Sequence, residues 1–434
     1  MDKFVIRGGN PLHGSIRVSG AKNSALPCMA AAILTDGEIV LENIPRVRDI
    51  ETERRLLASM GAQAATSIED GTNKIFLCCS TLSDPVAKYE IVKTMRASSL
   101  VLGPLIARTG AARVAMPGGC AIGGRPIDLH IKGLEKMGAT ITQEHGYLEA
   151  RAERLRGAHL VFDRITVTGT EDLLMAAVLA EGETVMENCA REPEVSDLAD
   201  LLIAMGAKIQ GAGTSTIRVQ GVAGLHGATH RIHPDRIEAG TFLIAGAITA
   251  GDLTVTHCNP DHLRAVLSKL EEAGARITIS GGSSVRVQSN GQLCAADIST
   301  EEYPGFPTDM QAQYMALATQ AEGVSLIREN IFENRFMHVQ ELVRMGAQIK
   351  VEARTATVRG ASPLSAAAVM CSDLRASASL VLAALVADGE TVIDRVYHMD
   401  RGYERFEEKL RGVGAQIHRM GNVFASPESE AAQD

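Results

Sequence analysis

A short apolar motif that ends in Gly-Ala recurs six times along the chain. Its glycines are Gly61, Gly138, Gly206, Gly274, Gly346 and Gly414, so that successive copies lie 77, 68, 68, 72 and 68 residues apart. This spacing is too regular for chance and too long for a solenoid, whose repeats are about 20 to 50 residues. The sequence therefore predicts six similar structural units, most simply grouped as two domains of three units each with a cleft between them.

The same local pattern surrounds each copy. A glycine 23 to 28 residues upstream of each Gly-Ala opens a run typical of a β-strand, and an Ala/Leu-rich stretch with helical spacing precedes that glycine. The near-continuous apolarity of these stretches predicts helices buried on most sides. Because glycine tolerates the left-handed backbone that ends a helix, each Gly-Ala is expected to be a helix C-cap followed by a strand. Each unit is thus predicted as helix, strand, helix, strand, and the fold class as α/β.

Composition and charge limit the class of function. A formal net charge of -9 argues against nucleic-acid binding, so an anionic substrate would need a local basic pocket. The eight cysteines include no CxxC pair, which favours a reducing cytosol, and no apolar run is long enough to span a bilayer. The polar, acidic tail from about residue 425 to 434 is predicted to be disordered.

The segment "PGGCAIGGRP" places Cys120 between two glycine pairs and in front of Arg125. Glycines free the backbone to move, and a nearby cation favours the thiolate, so Cys120 is a candidate for chemistry on a mobile lid. A turn that contains an inert cysteine is the alternative.

Charged residues also stand at three predicted helix starts. Lys22 and Asn23 precede a buried helix, where a cation, an amide and free helix N–H groups favour an anion; a surface lysine is the alternative. Arg96 and Arg375 each open an Arg-Ala-Ser segment, which suits recognition of a planar anion. The alternative for both arginines is a packed stem with the guanidinium bonded to a carboxylate at the interface.

Two more segments carry candidate residues. Asp309 in "YPGFPTDMQAQ" is either an N-cap or first-turn carboxylate or the acceptor of a substrate hydroxyl proton. Arg401 in "HMDRGYERF" is predicted in a loop before the last helix, either solvated or in a charged network. Three histidines with H-x3-H-x2-H spacing lie in a Gly-rich context that argues against a metal site: His226, His230 and His233.

Six motifs together resemble the enolpyruvyl transferase family, in particular its members that use UDP-N-acetylglucosamine. The segments occur in the family's order and approximate spacing, and the resemblance extends to about residue 424: "SGAKNSALP", "MRAS", "PGGCAIGGRPIDLH", "YPGFPTDMQAQ", "IFENRFMH" and "DRGYER". The resemblance implies two similar inverse α/β barrel domains with the active site in the cleft between them. It assigns residues 1–21 plus 234–434 to one domain that carries both termini, and residues 22–233 to the other, which carries the Cys120 lid.

The reaction that the resemblance implies is transfer of the enolpyruvyl group of phosphoenolpyruvate to the 3-hydroxyl of UDP-N-acetylglucosamine. Phosphate is released by addition and elimination through a tetrahedral ketal. This reaction is the first committed step of peptidoglycan precursor synthesis, and the expected location is the cytoplasm. The two substrates are the expected partners, and no cofactor, metal, nucleic acid or membrane insertion is expected.

Residue roles are carried over by motif position. Cys120 is implied to be the general acid and the site of a covalent phosphoenolpyruvate adduct, and Asp309 the base or proton relay. Lys22, Arg125 and Arg401 are implied to hold phosphoenolpyruvate, with Asn23 near the reacting centre. The contacts implied for the nucleotide sugar are Arg96, Pro126, Ile127, Asp128, Leu129, Ile331 and a predicted strand of Arg164, Ile165, Thr166 and Val167. The supporting residues implied are Glu192, Arg236, Arg335, Asp373, Arg375 and His398.

Three alternatives remain at the level of sequence. The sister enzyme on the same fold, which makes 5-enolpyruvylshikimate 3-phosphate, lacks the Gly-Gly-Cys lid, so Cys120 argues against it. A non-catalytic paralogue that senses a nucleotide sugar would have lost Cys120, Lys22, Asp309 or Arg401, and all four are present. A periodic α/β scaffold would explain the six repeats but not the cations at corresponding positions.

Overall fold

A computed structural model describes residues 2–69, 71–116 and 127–421. These residues divide into two compact units, named here for their place in the sequence. The terminal unit comprises residues 2–18 and 235–421, and the central unit comprises the described residues between 19 and 234. Each unit has its own hydrophobic core. Cys120, Arg125, Pro126 and the predicted disordered tail lie outside the described residues.

Three four-stranded sheets make up the described strands of the central unit. From edge to edge, the first sheet contains Ala228–Arg231, Ile39–Glu42, Thr72–Cys78 and Gln63–Glu69. The second contains Val86–Ala87, Ala111–Ala115, Tyr147–Arg151 and Thr140–Glu144. The third contains His159–Val161, Glu183–Glu187, Thr216–Gln220 and Lys208–Gln210.

The described strands of the terminal unit also form three four-stranded sheets. From edge to edge, the first contains His13–Arg17, Asp252–Thr256, Ser284–Gln288 and Arg276–Ser280. The second contains Ile298–Ser299, Gly323–Arg328, Thr355–Gly360 and Gln348–Glu352. The third contains Ala368–Met370, Glu390–Asp394, Lys3–Arg7 and Gln416–Met420.

All six sheets share one pairing scheme. The first strand is parallel to the second, and the third is antiparallel to both of its neighbours. The second strand is the one that each upstream glycine opens. In the last sheet the third strand is Lys3–Arg7, where Phe4 lies opposite Ile393 on one side and Arg419 on the other. The N-terminal strand therefore completes the sixth repeat.

The most apolar helices form the interior of each unit. In the central unit they are Lys22–Ala31, Leu102–Thr109 and Val167–Ala177, and in the terminal unit Arg236–Ile248, Gln311–Ala318 and Leu374–Val386. Most residues of these helices are buried, and the three helices in the terminal unit contact one another pairwise. Strands such as Glu183–Glu187 alternate between buried and exposed residues, so the sheets face the helices with one side only. The α/β prediction with three repeated units per domain is confirmed.

A second set of helices ends at the Gly-Ala motifs. These helices are Arg48–Ser59, Asp128–Lys136, Pro193–Ala204, Arg264–Glu272, Val339–Arg344 and Phe406–Arg411. The six glycines have φ between +93° and +106°, a region that side-chain-bearing residues rarely adopt. The alanine after each glycine donates to a leucine carbonyl five residues earlier, as Ala62 does to Leu57 at 3.1 Å. The predicted C-caps are confirmed at all six positions.

Short helices connect these elements. They are Ala32–Leu34, Tyr89–Val92, Arg96–Val101, Pro260–Leu263, Thr308–Met310 and Val396–Arg401. Along the described ranges, no helix is both long enough and apolar enough to cross a membrane.

Candidate active site

Lys22 is the first residue of the buried helix Lys22–Ala31 in the central unit. Its Nζ donates to Oδ2 of Asp49 at 3.0 Å, and the two side chains are only 11% and 5% exposed. The alternative of a solvated surface lysine is therefore wrong, because the cation is held against a buried carboxylate. Asn23, the next residue, is exposed and available to solvent or a ligand.

Arg96 opens the short 3₁₀ helix Arg96–Val101 and is half-buried. Burial, and secondly the charge of Arg96, lower the pKa of His130 to about 4. The His130 imidazole is thus neutral near pH 7. It lies on helix Asp128–Lys136, whose start carries the predicted nucleotide-sugar contacts Ile127, Asp128 and Leu129.

Asp128 and Arg164, both predicted contacts of the nucleotide sugar, pair with each other. Arg164 Nη2 donates to Asp128 Oδ1 at 2.9 Å, and both side chains are largely exposed. Exposed pairs of this kind contribute about 0 to 1 kcal/mol, so a ligand can compete for either partner at little cost. Leu129 lines a groove of about 430 Å³ bordered by strand His159–Val161.

The predicted strand Arg164–Val167 is wrong. Thr166 is the N-cap of helix Val167–Ala177, and its hydroxyl oxygen accepts the N–H of Gly169 at 3.2 Å. The strand was implied by the family resemblance, but the threonine hydroxyl caps a helix here instead. The four residues therefore turn into a helix start, with Ile165 and Val167 half-buried.

Asp309 lies in the terminal unit, in the 3₁₀ turn Thr308–Met310 that leads into helix Gln311–Ala318. Arg335 Nη2 donates to its Oδ1 at 2.7 Å, and Arg375 donates to its Oδ2 from Nε at 3.1 Å and Nη2 at 2.9 Å. Both arginines are about 5% exposed, whereas the Asp309 side chain is 28% exposed. Three charge-assisted hydrogen bonds thus fix a carboxylate that is still accessible. Asp309 is a first-turn residue and not the N-cap, which is Pro307.

Arg375 is oriented by the cap of its own helix, Leu374–Val386. The Asp373 Oδ1 accepts the N–H groups of Arg375 at 2.9 Å and Ala376 at 3.1 Å. Burial opposes the charge of Arg375, yet the adjacent Asp309 raises its pKa. A side-chain hydrogen bond between Arg375 and Tyr403 also raises the Arg375 pKa. Arg375 thus bonds a carboxylate of its own unit, and its predicted binding of an anion stays a prediction.

Arg401 ends the 3₁₀ helix Val396–Arg401 and does not lie in the predicted loop. The carboxylate of the preceding Asp400 accepts a hydrogen bond from Arg419 Nη1 at 3.0 Å, which anchors this turn. His398 lies in the same turn, and burial followed by the charge of Arg401 lowers its pKa.

The remaining predicted residues lie at the ends of elements. Arg236 opens helix Arg236–Ile248 and stands 5.7 Å from the ring centroid of Tyr303. The N–H of Ile331 donates to Glu329 Oε1 at 2.9 Å. Glu192 precedes helix Pro193–Ala204 and is buried.

The three histidines of the central unit do not all have the same partner. His230 Nε2 lies 2.7 Å from Asp197 Oδ1, and His233 Nε2 lies 3.4 Å from the same oxygen. His226 Nδ1 instead lies 3.0 Å from the carbonyl oxygen of Gly227. Two of the histidines therefore share one buried carboxylate.

Comparison with known proteins assigns the family. The family model described as EPSP synthase (3-phosphoshikimate 1-carboxyvinyltransferase) matches residues 6–410. Proteins named UDP-N-acetylglucosamine 1-carboxyvinyltransferase from Acidobacterium capsulatum and Koribacter versatilis are 76% and 70% identical to this chain. The alignments cover 100% of this chain and 99% and 100% of those proteins. This chain belongs to the UDP-N-acetylglucosamine 1-carboxyvinyltransferase family. The membership predicted from the six motifs is confirmed.

Solved structures of related enzymes confirm the fold expected for the UDP-N-acetylglucosamine 1-carboxyvinyltransferase family. The enolpyruvyl transferase NikO from Streptomyces tendae matches with a TM-score of 0.86 at 25% identity, covering 96% of this chain and 98% of that one. EPSP synthase from Acinetobacter baumannii matches with a TM-score of 0.72 at 20% identity, covering 97% and 100%. The fold is the two-domain inverse α/β barrel, with helices inside and sheets outside.

Proposed function

We propose that this enzyme transfers the enolpyruvyl group of phosphoenolpyruvate to the 3-hydroxyl of UDP-N-acetylglucosamine and releases phosphate. The observation that carries this proposal is the 59 to 76% identity, over 97 to 100% of the chain, to four proteins that bear the name of this activity. The chemistry needs an acid, a base and cations for a crowded anion, and the chain supplies all three types of group.

The addition step forms one C–O bond and moves two protons. The sugar 3-hydroxyl oxygen attacks C2 of phosphoenolpyruvate, and Asp309 accepts the hydroxyl proton directly or as a relay. Cys120 donates a proton to the methylene carbon C3. The product is a tetrahedral ketal that still carries the phosphate.

The elimination step reverses the proton transfer at carbon. The Cys120 thiolate takes a proton back from the C3 methyl group while the C2–O bond to phosphate breaks, which leaves the enolpyruvyl ether and inorganic phosphate. Phosphoenolpyruvate brings a carboxylate and a phosphate on one small molecule, and Lys22, Arg125 and Arg401 are the cations assigned to them. The ion pair with Asp49 supports this role for Lys22, because it fixes where the ammonium group lies.

The geometry around Asp309 favours a role in positioning the sugar hydroxyl. Two buried arginines donate hydrogen bonds to the two oxygens of this carboxylate, and 28% of the Asp309 side chain remains exposed. A general base must lie within hydrogen-bond reach of the proton it accepts, so a fixed orientation of this carboxylate is an advantage.

In the cell, this reaction would be the first committed step of peptidoglycan precursor synthesis, carried out in the cytoplasm. Both substrates are soluble anions, which suits the local cations of a protein whose formal net charge is -9.

The alternative acceptor is shikimate 3-phosphate, which the description of the matching family model favours. Against it stand the four relatives named for the nucleotide sugar and the presence of Cys120. The sensor alternative is disfavoured because Cys120, Lys22, Asp309 and Arg401 are all retained.

The test is phosphate release from phosphoenolpyruvate by the purified protein with each acceptor in turn. Release with UDP-N-acetylglucosamine alone is expected. Release with shikimate 3-phosphate would assign the sister activity instead. If neither acceptor supports release while UDP-N-acetylglucosamine still binds by calorimetry, the protein is a sensor and the proposed transfer is wrong.

A further inference from the structure

Buried polar side chains contact Asp309 at two places, its backbone carbonyl and its carboxylate. Gln313, one helical turn onward, donates from Nε2 to the backbone carbonyl of Asp309 at 2.8 Å. The same nitrogen lies 3.2 Å from Tyr403 Oη and 3.2 Å from Thr241 Oγ1. The side chains of Gln313, Tyr403 and Thr241 are all buried. The hydrogen bond from Gln313 reaches the backbone of Asp309 and not its carboxylate.

The direction of each hydrogen bond follows from the available protons. Thr241 Oγ1 donates to the carbonyl of Ile237 at 2.7 Å, so in its 2.9 Å contact with Tyr403 the tyrosine is the donor. Burial raises the pKa of Tyr403, which keeps that proton in place. Because the Asp309 carbonyl accepts only, the Gln313 amide must face it with its nitrogen. One proton of Gln313 Nε2 is donated to the Asp309 carbonyl, and the other is shared between the hydroxyl oxygens of Thr241 and Tyr403.

Arg375 makes the contact with the Asp309 carboxylate. Its guanidinium carbon lies 5.3 Å from the ring centroid of Tyr403, and its Nε and Nη2 donate to Asp309 Oδ2. Tyr403 therefore supports Arg375 with its ring and with a side-chain hydrogen bond, and its hydroxyl also contacts Gln313 and Thr241. Both the backbone carbonyl and the carboxylate of Asp309 are held by groups that meet at one tyrosine.

We propose that Tyr403, Thr241 and Gln313 are positioning residues that fix the Asp309 carboxylate and so set the rate of enolpyruvyl transfer. This inference rests on the proposed function of Asp309. If the inference is right, a variant that breaks this network lowers kcat and leaves the KM of both substrates almost unchanged. The reason is that the Asp309 carboxylate accepts the proton of the sugar hydroxyl during the reaction. A small displacement of such a group is costly, whereas substrate affinity resides in other contacts.

The central variant is Tyr403→Phe, which keeps the ring beside Arg375 and removes only the hydroxyl. We expect kcat to fall about fivefold to tenfold, because the loss of one buried hydroxyl and its hydrogen bonds loosens the position of Asp309 in the transition state. Thr241→Val is expected to give a similar loss, and Thr241→Ser, which keeps the hydroxyl, to restore kcat to within about twofold of the wild type. The double variant Thr241→Val/Tyr403→Phe is expected to be no slower than the slower single variant, because the network is already broken.

Tyr314→Phe is the matched control. Tyr314 is a buried tyrosine of the same unit whose hydroxyl lies 3.5 Å from the backbone carbonyls of Lys269 and Ala296. Loss of this hydroxyl is expected to alter thermal stability by a similar amount and to leave kcat unchanged. All variants are assayed well below their melting temperatures.

Three results would overturn the inference while leaving the proposed function intact: an unchanged kcat in Tyr403→Phe, an equal kcat loss in Tyr314→Phe, or losses in the double variant that multiply. A rise in KM with constant kcat would also overturn it, since the residues would then serve binding. A wild-type protein without transferase activity would refute the proposed function, and the inference with it.

Discussion

A buried carboxylate, that of Asp49, holds the Lys22 ammonium group in place. We therefore expect binding of phosphoenolpyruvate to depend on the position of this charge as well as on its sign. Lys22→Arg keeps the charge but replaces a compact ammonium with a wider planar fork. We expect the KM for phosphoenolpyruvate to rise about tenfold, since one mispositioned contact to an anion costs about 1.4 kcal/mol. Lys93→Arg, at an exposed site, is the control and should leave KM unchanged. An unchanged KM in Lys22→Arg would mean that this lysine does not contact phosphoenolpyruvate.

Asp172 gives a prediction for stability as a function of pH. Burial raises its pKa to about 8 from an ordinary value of 3.8, while the Gly103 N–H that donates to Oδ1 acts in the opposite direction. The folded state therefore holds a proton that the unfolded state releases, so this residue's contribution to the free energy of unfolding falls as pH rises from about 4 to about 8. Asp172→Asn keeps an acceptor for Gly103 but cannot ionise.

Relative to the wild type, Asp172→Asn is expected to gain stability between pH 5 and pH 8, on the order of 1 kcal/mol per pH unit. Urea unfolding at several pH values measures this difference. Asp84→Asn is the control, because this half-buried side chain is 44% exposed, and the difference from wild type should be small and constant. A difference for Asp172→Asn that does not grow with pH would show that Asp172 is ionised in the folded protein.

Side-chain partners were the part of the site that the sequence could not predict. Lys22, Asp309, Arg335 and Arg375 were all identified from motifs, but Asp49 was not, because it lies 27 residues from Lys22 on another helix. The contact between Arg375 and Asp309 spans 66 residues. Such pairings depend on how the repeats pack, and no local pattern encodes them.

At the scale of elements, the Gly-Ala caps allow the cost of a positive φ to be measured without a steric clash. Gly138 has φ of +97°, and a Cβ at this position would meet no atom within 4 Å. Gly138→Ala should therefore lower the free energy of unfolding through backbone strain alone, by about 1 to 2 kcal/mol. Gly224 has equally open surroundings without a positive φ, so Gly224→Ala should have little effect. Equal urea midpoints for the two variants would contradict the account of the caps.

Periodicity predicted the helices and the principal strand of each repeat because their apolar pattern is strong. The parallel edge strand of each sheet was missed, since examples such as Val86–Ala87 and Ile298–Ser299 have only two residues each and carry no periodic signal. The wrong strand at Arg164–Val167 has another cause. The family resemblance implied it, whereas the side-chain cap of Thr166 favours a helix that the rest of the core stabilises.

At the scale of the whole molecule, the N-terminal strand is a structural part of the last repeat. Phe4 is fully buried in the middle of a four-stranded sheet, where it lies 5.0 Å from the Arg419 guanidinium. Phe4→Ala is expected to cost about 3 to 5 kcal/mol of unfolding free energy in the terminal unit. The neighbouring Val5→Ala, at a half-buried position, should cost about 1 kcal/mol. Similar losses for the two variants would show that the strand is not packed as described.

The central claim is that the enolpyruvyl group is transferred to the sugar 3-hydroxyl by a site that contains Asp309. The most direct measurement is the structure of the product, determined by NMR after the purified enzyme has consumed phosphoenolpyruvate and UDP-N-acetylglucosamine. We predict one product, with the enolpyruvyl ether on the 3-oxygen, formed at least about 100-fold more slowly by Asp309→Asn. An ether at another oxygen, or an undiminished rate in Asp309→Asn, would contradict this account.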